Sequence, residues 1–327
     1  MTDYVKEKLP DDIILFLKNN KLKLKKLSKP NVFISLGQIA IEYFLIFSSI
    51  YLCLIYWSIP FYILTLMFIG ARQVGLGVLM HDATHFLLCK NKKINDLICN
   101  LFISYPLFFP LSKYRNVHYS HHANLLTEDD PDWHPRFIKD EWKFPQSKTT
   151  FLKNLLQYSF YIHAFKIIFN FKISFRYKIN YILNSFIPMG KLITSNFKKI
   201  SIGIILLICV SLMFYFKFIF YIFLFWIFPI LFWIPFINNY RLIAEHFGIE
   251  GNQVLNKSRT IYPNLVDILF FGCEWNVTYH LDHHIYPRVP SYRLKKLHNM
   301  IKDLDGYKQN AHITKNGFYG VFKECTI

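Results

Sequence analysis

The stretch "FIFYIFLFWIFPILFWIPFI", residues 218–237, carries no charged residue on any face. A helix that is apolar all round is at home in lipid rather than at a water boundary, and about 20 residues suffice to cross a bilayer. A second segment of this kind occupies residues 200–216, separated from the first by the single Lys217. Near the other end, residues 32–80 form a long apolar run broken at "YWSIPF", which divides it into spans at 32–56 and 60–80. The expected architecture is therefore an all-α membrane protein, a single integral-membrane domain over residues 1–327, with four transmembrane helices in two hairpins. Composition agrees, since 53% of residues are apolar and 34 are Phe, well beyond the soluble norm.

Lysine sets the expected orientation. Eight Lys fall in the first 30 residues, and the region 90–199 and the C-terminal tail are also basic. The tips of the hairpins hold at most Lys217. The positive-inside rule puts both termini and the central region in the cytoplasm. The formal net charge of +17 flanks apolar spans, where it meets anionic headgroups, so no nucleic-acid partner is expected. No secretory signal is expected either, because the first apolar span is too long for an h-region. The six cysteines lack C-x-x-C spacing and suit a reducing compartment.

Histidine is the second constraint. "HDATH" supplies His81 and His85, "HYSHH" supplies His118, His121 and His122, and "HLDHH" supplies His280, His283 and His284. Each spacing is i, i+4 or i, i+3, i+4, which on a helix is one face. Each triplet is expected to aim at a common point. These eight of the 13 histidines are too many for one ion, and divide naturally between two metals with four or five ligands each. Imidazole suits iron, copper, nickel and zinc alike, so residue type leaves the metal open. The zincin reading fails, because "HDATH" has Asp82 and no glutamate at the H-E-x-x-H position. All three clusters fall on the cytoplasmic side of the expected topology, as a histidine-rich helical cap.

These boxes, with the isolated "AEHFG" at 244–248, together resemble the membrane fatty acid desaturase family, in which an H-x-x-x-H box and two H-x-x-H-H boxes are arranged around two hydrophobic hairpins. The resemblance runs from roughly residue 60 to residue 300 and is specific in box order, spacing and intervening spans. "TEDDPDW" (127–133) resembles bacterial members and also related hydroxylases and carotenoid ketolases. The resemblance implies two iron ions in a non-haem pair, dioxygen as co-substrate, and His81, His85, His118, His121, His122, His280, His283 and His284 as ligands. His246 occupies the place of a further family ligand. A helix continuing from the fourth span would carry it about 13 Å further, into the layer of the boxes. The implied partners are an acyl lipid or acyl-carrier substrate, the membrane, and an external electron donor of the ferredoxin or cytochrome b5 type. No H-P-G-G motif occurs in these residues, so no cytochrome b5 domain is expected within them.

The implied reaction is oxygen-dependent desaturation of an acyl chain; the alternative is hydroxylation or ketolation of another lipid at the same centre. Unactivated C–H bonds yield to neither a general base nor a nucleophile, whereas a reduced metal pair can convert oxygen into a sufficient oxidant. A non-catalytic scaffold would bind no metal. Asp82, Asp282, Glu245, Glu128, Asp129, Asp130 and Asp132 are candidates to accept the outer N–H of bound histidines, and Asn276 lies one helical turn before His280. His163 and His298 are expected in structural or surface roles. His312 is not expected to bind metal. Glu42 and Arg72 fall in the first and second spans, about 20 Å from the hairpin tip; ionisable groups at such depth pair, so a buried Glu42–Arg72 pair is expected. Residues 94–111 read as re-entrant or interfacial, 151–178 as an amphipathic surface helix, and 291–304 as a cytoplasmic helix.

Overall fold

A computed structural model describes residues 9–131, 142–159, 207–215, 218–249 and 254–327. Helices dominate. In chain order, α1 (Asp11–Asn19) and α2 (Lys21–Leu27) lead into two long helices, α3 (Val32–Ile55) and α4 (Ile59–Thr84). The break at "YWSIPF" has a local cause. Asn31 caps α3 by accepting from Phe33 N, Ser58 caps α4 by accepting from Phe61 N, and Pro60 sits in the first turn of α4, where a missing N–H costs nothing. Residue 42 meets 72 and residue 46 packs with 69, so α3 and α4 run antiparallel.

Next come α5 (Lys92–Cys99), which continues as a π-helical turn at Asn100–Ser104, then α6 (Leu111–Ala123) and α7 (Lys148–Ser159). Residues 207–215 are helical with exposed apolar side chains. The third long helix, α8, is Phe218–His246, with a π turn at Phe223–Ile227. Thus three described helices, α3, α4 and α8, are long and apolar enough to cross a membrane. The expected 200–216 span lies partly outside the described residues, as do Lys217, His163 and most of 151–178. The described part of that last segment, α7, buries Phe151 and Leu155 against Tyr240 of α8 and exposes Leu152 and Leu156.

Of the three, α4 is central: 72% of its apolar window is buried, against 28% for α3 and 11% for α8. It packs on both others. Gly70 allows the closest approach to α8, since a Cβ there would stand 2.8 Å from Trp233 Cδ1. Gln73 of α4 donates to the Trp226 carbonyl in the π turn of α8 at 3.0 Å, which satisfies a group that lipid could not.

The remaining elements form a cap. They are β1 (Arg259–Ile261), α9 (Leu265–Phe271), α10 (His280–Ile285), α11 (Leu294–Ile301), α12 (Asp305–Asn310), β2 (His312–Thr314) and α13 (Gly317–Glu324). The expectation of purely helical structure needs one correction: β1 and β2 pair in parallel, with Thr260 opposite Ile313. Buried Arg259 bonds Glu324 at 2.7 Å and also the Phe247 carbonyl. It ties the end of α13 to the end of α8. Apolar residues from α1, α2, α10, α11 and α12, among them Ile13, Leu24, Leu281, Leu297 and Tyr307, form one core beneath the third histidine box. The expected helix at 291–304 is shorter, a 3-10 turn at Ser291–Arg293 followed by α11. Residues 94–111 resolve into α5, the π turn and a turn between Pro106 and Pro110.

The buried ion pair has a third member. Arg72 Nη1 lies 3.6 Å from Glu42 Oε2, as expected, and its Nη2 lies 3.2 Å from Glu274 Oε2. Arg72 also donates to the Ile268 carbonyl, and Trp275 Nε1 donates to Glu42 Oε1 at 2.7 Å. Two carboxylates thus share one guanidinium. Burial, with Glu42 alongside, pushes the Glu274 carboxyl well above the usual carboxylate range. Both acids press on Gly75, where a Cβ would meet Glu274 Oε1 at 1.9 Å.

Candidate metal centre

The three boxes reach one place by different routes. His81 stands in the last turn of α4 and His85 directly after it. His118, His121 and His122 lie on α6. Arg115 anchors α6 by donating to the carbonyls of Ala83 and Thr84 at the end of α4 and to Asp96. His280, His283 and His284 form the short helix α10, and His246 ends α8. All nine gather in two groups. The first holds His81, His85, His118, His122 and His283, and the second His121, His246, His280 and His284; within each, the ligating atoms lie within 4.8 Å of one another.

The division corrects the expectation that each triplet aims at one point. Residues at i and i+4 stay together, as do His81 with His85, His118 with His122, and His280 with His284. The i+3 residue crosses to the other group, so His121 joins the second and His283 the first. Successive residues on a helix differ by about 100° in direction. Each adjacent His–His pair therefore faces two ways.

The donor set fits metal ions. In the first group the Nε2 atoms of His81 and His283 are 3.1 Å apart, those of His85 and His118 2.9 Å, and those of His122 and His283 3.0 Å. In the second, Nε2 of His280 lies 3.0 Å from Nε2 of both His246 and His284. Two tautomers follow from the outer contacts. His246 Nδ1 lies 2.9 Å from the Lys257 carbonyl, and His121 Nδ1 lies 3.0 Å from both oxygens of Asp130. A carbonyl or carboxylate accepts, so Nδ1 carries the proton and Nε2 turns its lone pair inward. Burial, then the charge of neighbouring groups, holds His85, His118, His122, His280, His283 and His284 well below the usual imidazole range. Neutral imidazole is the form that binds metal.

Of the described acidic candidates, only Asp130 accepts directly from a box histidine. Asp82 is 3.8 Å from His81 Nδ1 and instead accepts from the backbone N–H and hydroxyl of Ser291. Asp282 receives Thr260 Oγ1 at 2.7 Å and contacts His298 and Tyr307, so it fastens α10 to β1, α11 and α12. His298 is accordingly buried and structural. Glu128 and Asp129 are exposed, and Asp132 lies outside the described residues. Glu245 pairs with Arg241 and approaches His280. Asn276 is not on the box helix. It sits in a left-handed turn before it, with φ 59°, and lines a separate cavity with Tyr262 and His298. Sequence reasoning missed Glu274 and the Lys257 carbonyl; neither has a local signal, because their partners are 202 and 11 residues away.

A cavity of about 400 Å³ opens between α4 and α8. His118, His121, His246 and His280 line one end, and Val74 and Ile230 the other. Along α4 it runs from His81 back to Gln73, eight residues or about 12 Å into the apolar part of the helix.

The sequence is similar to those of known proteins. The profile of the family described as fatty acid desaturase matches residues 55–316. A chloroplastic omega-6 fatty acid desaturase of Glycine max is 27% identical over 261 residues, 75% of this chain and 57% of its own length. Dihydrorhizobitoxine desaturase of Bradyrhizobium elkanii is 27% identical over 286 residues, covering 80% of this chain and 72% of its own. An sn-1 oleoyl-lipid 12-desaturase of Synechocystis is 26% identical over 307 residues, 85% of this chain and 77% of its own. The chain spans a little over half the length of the chloroplastic relatives it matches. With the match covering most of its residues, the chain belongs to the fatty acid desaturase family.

Proposed function

We propose that this protein is an oxygen-dependent desaturase that introduces a double bond into the acyl chain of a membrane lipid. The observation that carries this reading is the pair of histidine groups at the end of a cavity that runs between two long apolar helices. The relatives named for omega-6 and oleoyl-lipid 12-desaturation support a lipid substrate. His81, His85, His118, His122 and His283 would hold one iron ion, and His121, His246, His280 and His284 the other. A bound iron pair supplies the electron-transfer chemistry by which dioxygen attacks an unactivated C–H bond.

The chain's own residues do the rest. Val74, Val78 and Ile234 line the cavity and exclude water from the acyl tail. Asp130 and the Lys257 carbonyl hold the inner nitrogens of His121 and His246 in register. The box carboxylate Asp282 keeps α10 seated on β1 through Thr260. Removing two hydrogens while dioxygen goes to water takes two further electrons, so an external donor, of the ferredoxin or cytochrome b5 type, completes the system. The proposed topology has four spans in two hairpins, one domain, with the termini and histidine boxes cytoplasmic.

Lipid profiling of a host expressing the protein tests the reaction. The expected result is a fatty acid lighter by two hydrogens; a product heavier by one oxygen would make the protein a hydroxylase. The ligand assignment has its own test. His246→Ala is expected to lower bound iron from two ions per chain to about one and to abolish turnover, since outer contacts alone are worth about 10–100-fold in metal affinity. His312→Ala, at a half-buried position bonded to Glu324, keeps both. Full iron and turnover in His246→Ala would return His246 to a structural role.

A further inference from the structure

The second histidine group holds four imidazoles where the first holds five. A carboxylate stands beside this group on α8, one residue before His246. Glu245 divides its two oxygens. Oε1 accepts from Arg241 Nε at 3.1 Å and Nη2 at 2.7 Å. Oε2 accepts no hydrogen bond from a described residue and stands 3.8 Å from His280 Nε2. That nitrogen is the one through which His280 meets His246 and His284. Glu245 also lines the cavity beside His246 and His280.

We propose that Glu245 Oε2 is a further ligand of the ion held by His121, His246, His280 and His284, an inference that rests on the metal-centre reading above. Metal–nitrogen and metal–oxygen bonds of about 2.1 Å put two ligands of one ion about 3.0 Å apart when adjacent and about 4.2 Å when opposite. The observed 3.8 Å lies within that range, so Oε2 and His280 Nε2 are spaced as two ligands of one ion; the four imidazoles form their group without the carboxylate, which closes on the ion as it binds. Ligating carboxylates are themselves held by hydrogen bonds, and Arg241 supplies two of them to Oε1 alone. It fixes the carboxylate plane and leaves the other oxygen free. The consequence is an unequal pair: one ion among five neutral imidazoles, the other among four imidazoles and one anionic oxygen.

The test compares purified wild type, Glu245→Gln and Arg241→Gln, loaded anaerobically with ⁵⁷Fe(II). Iron per chain is followed through a chelator titration, and the two sites are read separately by Mössbauer spectroscopy. Glu245→Gln is expected to release one ion at about 10-fold lower chelator or less, with one quadrupole doublet altered and the other unchanged. The retained doublet also reports a folded first site. Arg241→Gln keeps the carboxylate and loses only its outer partner, so it is expected to release the same ion at a chelator concentration between those for Glu245→Gln and wild type. Both ions held at the wild-type chelator concentration in Glu245→Gln, with both doublets unchanged, would make Glu245 a partner of Arg241 only. Equal iron loss from the two variants would likewise overturn the assignment, because the ion pair rather than the oxygen would then matter. A wild type that binds no iron pair defeats the metal-centre reading itself, a result separate from either variant outcome.

Discussion

His283→Ala is expected to abolish product formation while the protein still inserts and folds. His283 is the one histidine of the third box that sits in the first group, with its Nε2 3.1 Å from that of His81 and 3.0 Å from that of His122. It links residues from α4, α6 and α10, and no neighbouring imidazole can take its place, because His280 and His284 face the other group. Loss of a direct donor should exceed the about 10–100-fold that outer partners cost, which brings turnover below detection in lipid profiles. Insertion is spared because α10 lies outside the three long apolar helices. A normal yield of unsaturated product from His283→Ala would defeat the di-iron assignment.

The second large effect is on stability. Arg72→Met leaves Glu42 and Glu274 buried together with no cation between them, and breaking a buried ion pair from one side costs about 3–5 kcal/mol. The double change Glu42→Gln/Arg72→Met removes one of the two carboxylates along with the charge that held them. It should therefore recover part of that loss, an ordering read from thermal unfolding in detergent. Additive losses, with the double variant the less stable, would show that Arg72 and Glu42 act independently.

The long helices were legible because their cause is local. Residues 32–56 and 60–80 correspond to α3 and the body of α4, and the dividing signal, Asn31 and Ser58 as caps with Pro60, is written in the chain. The span placed at 218–237 continues as helix to His246, which the end of the apolar run could not reveal, since Arg241 and Glu245 belong to the part of the helix that lines the site. Periodicity also grouped the histidines on helix faces. It could not say that the i+3 member of each triplet would cross, because that depends on which helix stands opposite. The same limit hid Glu274, whose partners are on α3 and α4, and left Asp130 undistinguished from three acidic neighbours until the turn after α6 brought it to His121. The strands β1 and β2 are three residues each and pair across some fifty residues of chain, so neither carries a readable alternation of its own.

The crossing of neighbouring histidines makes two box helices act as rulers. His121 and His122 are consecutive, as are His283 and His284, and in each case one serves each group. The spacing between the groups is thus set twice by a single peptide unit, whose Cα–Cα distance is fixed at about 3.8 Å by covalent geometry, rather than by how far separate helices happen to stand apart. A bilayer that thickens, thins or tilts α4 against α8 can change the width of the cavity. It cannot draw the two groups apart without breaking α6 and α10, so the spacing of the groups is insulated from the mechanical state of a surrounding membrane.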